Sequence, residues 1–82
     1  MKVRKTTYKV YGSEEPCFEV SSDDNSVMVR ISTCYHYLGS NSIYVTEYID
    51  GEFNSIEEIR GDFKFLTEDE AISIAKRISV YI

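Results

Sequence analysis

The sequence predicts a single α+β domain: an antiparallel, meander-like β-sheet of four to five strands, packed by one C-terminal amphipathic helix. Segments with period-two alternation of apolar and polar residues predict the strands, and Gly- and Asp-containing turn signals separate them. An apolar stripe of helical period near the C-terminus follows a good N-cap and predicts the helix. A chain of 82 residues is the length of one domain, which we assign to residues 1–82.

The first half of the chain predicts two strands joined by a loop. Residues 2–11 alternate and are rich in Val, Thr and Tyr, which favours a strand. Residues 12–16 read as a loop, because Pro16 cannot donate to a ladder. Residues 17–21 then form a short strand, and the polar run 22–25 predicts a turn.

Residues 27–37 give the clearest strand signal, because apolar and polar positions alternate over most of their length. One predicted face carries Val27, Val29, Ile31, Tyr35 and Tyr37, and the other carries Met28, Arg30, Ser32, Cys34 and His36. Residues 43–49 return as a strand, and Asp50-Gly51 is the strongest hairpin signal. Residues 52–59 are either a strand or the start of a helical turn, since Ser55 and Glu58 fit a capping box. Residues 63–66 predict a short extended piece.

The register between the third and fourth strands decides which side chains share a face, because a one-residue slip moves every side chain to the other face. A two-residue Gly39-Ser40 turn would place Tyr35 opposite Tyr44 and leave both faces half apolar. A three-residue turn gathers the aliphatic side chains on one face, so we favour it. Its expected pairs are Tyr35 with Val45, Tyr37 with Ile43, and Ile31 with Ile49.

The helix begins after Thr67, a good N-cap with Glu70 at the position that completes a capping box. Glu68 and Asp69 place negative charge at the N-terminal, positive end of the helix dipole, which stabilises the helix. The apolar stripe that should cover the aliphatic sheet face consists of Ala71, Ile74, Ala75, Ile78 and Ile82.

Charge is unevenly distributed along the chain. Lys2, Arg4, Lys5 and Lys9 precede the first acid, which leaves five basic residues against fourteen acids, a net of −9, in the rest of the chain. An acidic body disfavours non-specific binding to phosphate backbones. Two cysteines are too few for a disulfide scaffold, which favours a reducing compartment. The sequence shows neither a leader-peptide pattern nor an apolar run long enough to span a bilayer. We therefore expect a cytoplasmic protein with no membrane segment. A Cys17–Cys34 disulfide is the less favoured alternative.

The residues do not form a recognisable catalytic, metal or cofactor motif. His36 is the sole histidine, and Cys34 lies about 7 Å away on the same strand face, too far for direct proton transfer. Three Cys and His residues are fewer than a structural zinc needs, and the acids at 23–24 lack the glycine and glutamate of a calcium loop. We expect no enzyme activity, no cofactor and no metal.

The face opposite the helix is the expected contact surface, because aromatic side chains beside polar groups are typical of interfaces. Its members are Arg30, His36, Tyr44, Tyr48 and Phe53, and cross-strand aromatic stabilisation of the sheet is the alternative reading. Acidic side chains that would steer the domain to a positive partner are Asp23, Asp24, Glu47, Glu52, Glu57 and Glu58.

Two resemblances accompany these patterns. The chain resembles the arm-type DNA-binding domains of phage integrases at four positions: Phe63, Thr67, Glu70 and Ala71. That resemblance implies a sheet that reads DNA. In size, acidity and lack of chemistry the chain also resembles small phage-encoded inhibitors, including anti-CRISPR proteins. That resemblance implies a non-enzymatic protein that covers a functional surface on a large host machine.

Three functions follow in order of preference. The first is a non-enzymatic protein-binding module, most specifically an inhibitor that blocks a basic, nucleic-acid-binding surface of a host protein complex in the bacterial cytoplasm. The second is a nucleic-acid-binding domain that uses the sheet face and the basic first strand. The third is a homo-oligomeric structural protein, such as a homodimer, with the tyrosine face as its self-interface.

Overall fold

A computed structural model of the chain describes residues 1–10, 12–35, 41–61 and 66–82. It contains a five-stranded antiparallel sheet and one C-terminal helix, which confirms the predicted α+β class. Neighbours in the sheet follow chain order, β1-β2-β3-β4-β5. The elements are β1 (Lys2–Val10), β2 (Ser13–Ser21), β3 (Val27–Tyr35), β4 (Asn41–Ile49), β5 (Glu52–Arg60) and α1 (Glu68–Ile78). The extended piece predicted at 63–66 lies mostly outside the described residues.

The loop predicted at residues 12–16 is wrong, because β2 begins at Ser13 and Pro16 pairs with Thr7 of β1. The Pro16 carbonyl accepts a hydrogen bond from Thr33 Oγ1 of β3 at 3.5 Å. The nitrogen and carbonyl of a strand residue point to the same side, so the missing N–H also lies on the β3 side. Pairing between β2 and β3 ends at Cys17. No backbone hydrogen bond of the β2–β3 ladder is therefore lost because of the proline.

The predicted pairs between β3 and β4 are wrong, although the predicted faces are correct. Ile31 pairs with Val45 rather than Ile49, and Val27 pairs with Ile49. The slip is four residues, an even number, so every side chain keeps its face. The last pair is Tyr35 with Asn41, and Tyr37 lies outside the described residues.

The β4–β5 hairpin turns at Asp50-Gly51, as predicted. Both residues have positive φ, 51° and 80°, which is the backbone of a type I′ turn. The alternative of a helical turn after residue 52 is wrong, because β5 pairs with β4 from Glu52 to Arg60 with Asn54 alone unpaired. A shift in register between Glu47 and Tyr48 marks a bulge.

The helix starts with the capping box predicted from the sequence. Thr67 Oγ1 accepts from the Glu70 backbone N–H at 3.2 Å, and a Glu70 carboxylate oxygen accepts from the Thr67 N–H at 3.2 Å. The helix lies over β2 and β3. Its buried side chains join the apolar sheet residues in one core of Phe18, Val20, Val29, Ile31, Ile43, Val45, Leu66, Ala71, Ile74 and Ala75. Ile78 and Ile82 pack against that core and are partly buried.

Candidate protein-contact surface

The sheet face opposite the helix, here called the open face, carries a row of interacting side chains with one member on each strand. Arg4, Glu19, Arg30, Tyr48 and Phe53 belong to β1 to β5 in that order. Alternation places them on the open face, because their strand neighbours Phe18, Val20 and Val29 are buried against the helix. The row joins a charged half, on β1 to β3, to an aromatic half, on β4 and β5.

Glu19 is the centre of the charged half. Its Oε1 accepts from Arg4 Nε at 2.8 Å, and its Oε2 accepts from Arg30 Nη2 at 3.0 Å. Its side chain is only 12% exposed, against 73% for Arg4. Burial alone would raise the pKa of Glu19, but the hydrogen bonds from Arg30 and Arg4 outweigh it and hold the pKa below its usual value. The carboxylate therefore stays ionised at neutral pH.

The aromatic half continues from Arg30. Its guanidinium lies 5.7 Å from the centroid of the Tyr48 ring, and that ring meets Phe53 edge to face at 6.4 Å between centroids. Phe53 is 62% exposed, and Ile56 of the same strand is 58% exposed. Tyr44, also predicted for this face, is half-buried.

A pocket opens between β1, β2 and β3 on the open face. Its volume is about 330 Å³. The residues that line it are Arg4, Thr6, Thr7, Cys17, Glu19, Arg30 and Ser32. Cys17 is a free thiol that is only 4% exposed. Burial raises its pKa, so the thiol is protonated at neutral pH and is a poor nucleophile.

The predicted acidic residues do not form one patch on the open face. Glu47, Glu52 and Glu57 belong to the helix-side positions of the β4–β5 hairpin, while Glu58 is on the open face. They still gather around one edge of the sheet, because β5 is the edge strand and residues 52–57 are all exposed. The exposed Phe53 and Ile56 lie on the same edge strand, on its open face.

Asp23 and Asp24 lie apart from that edge, in the turn between β2 and β3. Asp24 accepts hydrogen bonds from the Ser26 backbone N–H at 3.0 Å, the Ser26 hydroxyl at 2.7 Å and the Ser22 hydroxyl at 2.8 Å. These bonds, that of the Ser26 N–H above all, lower the pKa of Asp24 to about 2. Asp23 is paired with the amino group of Met1. Both carboxylates therefore already have partners within the fold.

Sequence reasoning found Arg30, Tyr48 and Phe53 but missed Arg4, Glu19 and Ile56 as members of the surface. Alternation along β2 was the signal for Glu19, since it places that residue opposite Arg30 once the turn at 22–26 is accepted. His36, predicted for the surface, lies outside the described residues. Simple alternation along β5 from Phe53 would place Ile56 on the other face. The bulge opposite Glu47 and Tyr48 shifts the alternation by one residue, and Ile56 therefore shares the open face with Phe53.

No known family model, curated protein or solved structure matches this chain. Among the described residues, no helix has the length and hydropathy to cross a membrane. The described residues also contain no group of three or more His, Cys, Asp or Glu side chains that could hold a metal ion. The described part of the open face and its edge presents three features: a sheet edge with apolar and acidic side chains, an aromatic pair and an arginine-lined pocket.

Proposed function

We propose that this chain is a non-enzymatic protein-binding module, and most specifically a small inhibitor that covers a basic, nucleic-acid-binding surface of a host protein complex. The observation that carries the proposal is the exposure of β5. A strand that leaves Phe53 62% and Ile56 58% exposed has apolar area available for a partner. In this proposal the apolar helix stripe closes one face of a meander sheet, and the β4–β5 hairpin remains free to bind.

Charge gives the expected partner its sign. Residues 41–60, which form the hairpin, contain five acids and a single basic residue, Arg60, for a net of −4. Glu52 and Glu57 lie next to the exposed Phe53 and Ile56 along β5 but on its other face. The edge strand therefore presents apolar side chains on one face and carboxylates on the other, which complements a partner that binds this edge in an apolar groove bordered by lysines or arginines. Surfaces that bind nucleic acid have this basic character, so a protein that covers one would exclude the nucleic acid.

Direct binding of nucleic acid by this chain is less well supported by the geometry. Arg4 and Arg30 share the carboxylate of Glu19, which neutralises part of their charge. Lys5 lies over the ring of Phe18, 5.8 Å from its centroid, and so belongs to the opposite face of the sheet. Among the side chains that the structure describes, Arg4, Arg30 and Lys5 therefore do not form the single track along one face that a phosphate backbone requires.

The test is affinity capture from a bacterial lysate followed by a competition assay. A tagged wild-type chain should recover a stoichiometric partner, and the purified partner should lose affinity for its nucleic acid when the chain is added. The double variant Phe53→Ser/Ile56→Ser and the double variant Glu52→Lys/Glu57→Lys should both abolish recovery, because they remove the apolar centre and the attracting charge.

Two matched variants control for general effects. Val80→Ser removes a side chain that is 90% exposed and lies after the helix, and Glu14→Lys reverses a charge on β2. Both should leave recovery unchanged. The proposal fails if no partner is recovered in stoichiometric amount, or if the hairpin variants capture it as well as the wild type. A bacterial cytoplasm, with a phage-encoded source, is the setting that this function implies.

A homo-oligomeric role is the remaining alternative, with the tyrosine face as a self-interface. Light scattering at high protein concentration distinguishes it. A monomer supports the binding of another protein, whereas a dimer that the Phe53→Ser/Ile56→Ser variant dissociates would make the hairpin a self-interface.

A further inference from the structure

The pocket on the open face has hydrogen-bonding groups that the fold leaves unused. Arg4 donates its Nε–H to Glu19 and holds its Nη2 in ion-pair contact with the same carboxylate oxygen, and Arg30 donates one Nη2 proton to the other oxygen. A guanidinium has five N–H donors, and the described residues provide no further acceptor for either side chain. The hydroxyls of Thr6 and Ser32 also line the pocket and have no hydrogen-bond partner within the described part of the chain.

The net charge of the pocket is positive by one. Two guanidinium groups face one carboxylate, and the lowered pKa of Glu19 keeps that carboxylate ionised. A monoanion would bring the cluster to neutrality, whereas a dianion would place surplus negative charge beside Glu19. The thiol of Cys17 adds no charge, because its pKa is raised by burial.

We propose that this pocket binds a small monocarboxylate that carries a hydroxyl or similar polar group. The carboxylate oxygens accept from the free N–H donors of Arg4 and Arg30, and the polar group reaches the hydroxyls of Thr6 and Ser32 beside Cys17. Arginine provides paired donors in one plane, which suits a carboxylate. A volume of about 330 Å³ is at the lower end of the range for small-molecule sites. This proposal is independent of the hairpin's protein-binding role.

The test is a titration followed by NMR on the full chain, with glycolate, N-acetyl-glutamate methylamide and methyl phosphate as probes. Glycolate represents a free hydroxy acid, and the capped glutamate represents an acidic side chain from another protein. A saturable shift of the Arg30 Nε–Hε signal and of the Thr6 and Cys17 amides is expected with the carboxylate that fits. Methyl phosphate, a dianion at neutral pH, should bind more weakly.

Variants separate this pocket from adventitious binding to exposed arginines. Arg30→Gln should weaken the carboxylate by about tenfold, the value of one charge-assisted hydrogen bond. Arg60→Gln is the matched control, because Arg60 also pairs with a glutamate, at 3.0 Å, but does not line the pocket. It should leave the affinity unchanged. Thr6→Val keeps both arginines and should weaken glycolate by about threefold.

The outcomes divide clearly. Saturable binding of glycolate or of the capped glutamate supports the pocket if Arg30→Gln weakens it by about tenfold and Arg60→Gln does not, and the probe that binds identifies the source of the carboxylate. Shifts that do not saturate, that sodium chloride reproduces or whose affinity Arg30→Gln leaves unchanged overturn the proposal. Tighter binding of methyl phosphate than of glycolate overturns the assignment to a monocarboxylate.

Discussion

The guanidinium of Arg30 lies over the ring of Tyr48, 5.7 Å from its centroid, while its Nη2 donates to Glu19 at 3.0 Å. One side chain thus joins the ion pairs of β1 to β3 to the aromatic pair of β4 and β5. A cation over a partly exposed ring contributes about 0.5–1 kcal/mol. Because Arg30 is held from two sides, it presents a fixed set of free donors at the border of the pocket.

The Glu19 carboxylate should be the most important charged group of the open face for stability. Glu19→Gln removes the charge that both Arg4 and Arg30 contact, and we expect it to lower the free energy of unfolding by about 1 kcal/mol at neutral pH. The value is modest because the arginine side chains are 73% and 45% exposed and water screens both pairs. Urea denaturation of the variant and of the control Glu14→Gln measures the difference.

Acid should remove most of that difference. The pKa of Glu19 is lowered in the folded chain, so its contribution is complete above the ordinary glutamate pKa and is lost as the pH falls through the folded value. The cost of Glu19→Gln at pH 7 should therefore shrink toward zero when the same denaturation is repeated at pH 2.5. A cost that is equal at both pH values would show that the carboxylate does not act through its charge.

Local signals predicted the elements of this fold better than their pairing. Asp50-Gly51 and the box formed by Thr67 and Glu70 depend on a few neighbouring residues, and both were predicted. The place where β3 pairs with β4 depends on how far the chain runs before it returns. The favoured three-residue turn at 39–41 is too short, because Asn41 already pairs with Tyr35. Alternation still assigned the faces, because burial of Ile31 and Val45 selects parity rather than a particular pair.

The same distinction explains what was missed at the site. A proline cannot donate a backbone hydrogen bond, which is why the sequence predicts a loop at Pro16. The missing donor matters only if a neighbouring strand needs it, and the pairing of β2 with its neighbours is not visible in the local sequence. The contact of Arg4 with Glu19 requires the register of β1 on β2. Gly12, with a φ of 84°, lies in the turn that sets this register between Val10 and Ser13, but the expectation of a loop through residue 16 concealed it. Arg30, Tyr48 and Phe53 were found because alternation and one strong hairpin signal suffice to place them.

The turn at Gly51 should tolerate no side chain without cost. Its φ is +80°, a conformation that disfavours residues with a Cβ, although no atom within 4 Å would meet the added methyl group. Gly51→Ala should therefore lower the free energy of unfolding by about 1 kcal/mol through backbone strain alone. Asp50→Asn at the adjacent position, where φ is 51°, should have little effect, because asparagine adopts this conformation readily. An unchanged urea midpoint for Gly51→Ala would contradict the assigned turn.

The capping box should stabilise the helix measurably. Thr67→Ala removes the hydroxyl that accepts from the Glu70 N–H, and a loss of about 1 kcal/mol is expected. Thr67→Ser retains the acceptor and should recover most of that stability. Thermal unfolding followed by circular dichroism at 222 nm compares the three chains. If alanine and serine have the same effect, the loss comes from packing of the threonine methyl group and not from the cap.

The thiol of Cys17 should be slow to react in the native protein. It is 4% exposed, and burial raises its pKa, so both access and the fraction of reactive thiolate are reduced. Iodoacetamide at pH 7.5 should modify it at least about tenfold more slowly in buffer than in 8 M urea. Trypsin separates the two cysteines, because cleavage at Lys9, Arg30 and Arg60 leaves Cys17 in peptide 10–30 and Cys34 in peptide 31–60. A native rate close to the rate in urea would show that the pocket above Cys17 opens freely, and would remove the enclosed floor that a small ligand requires.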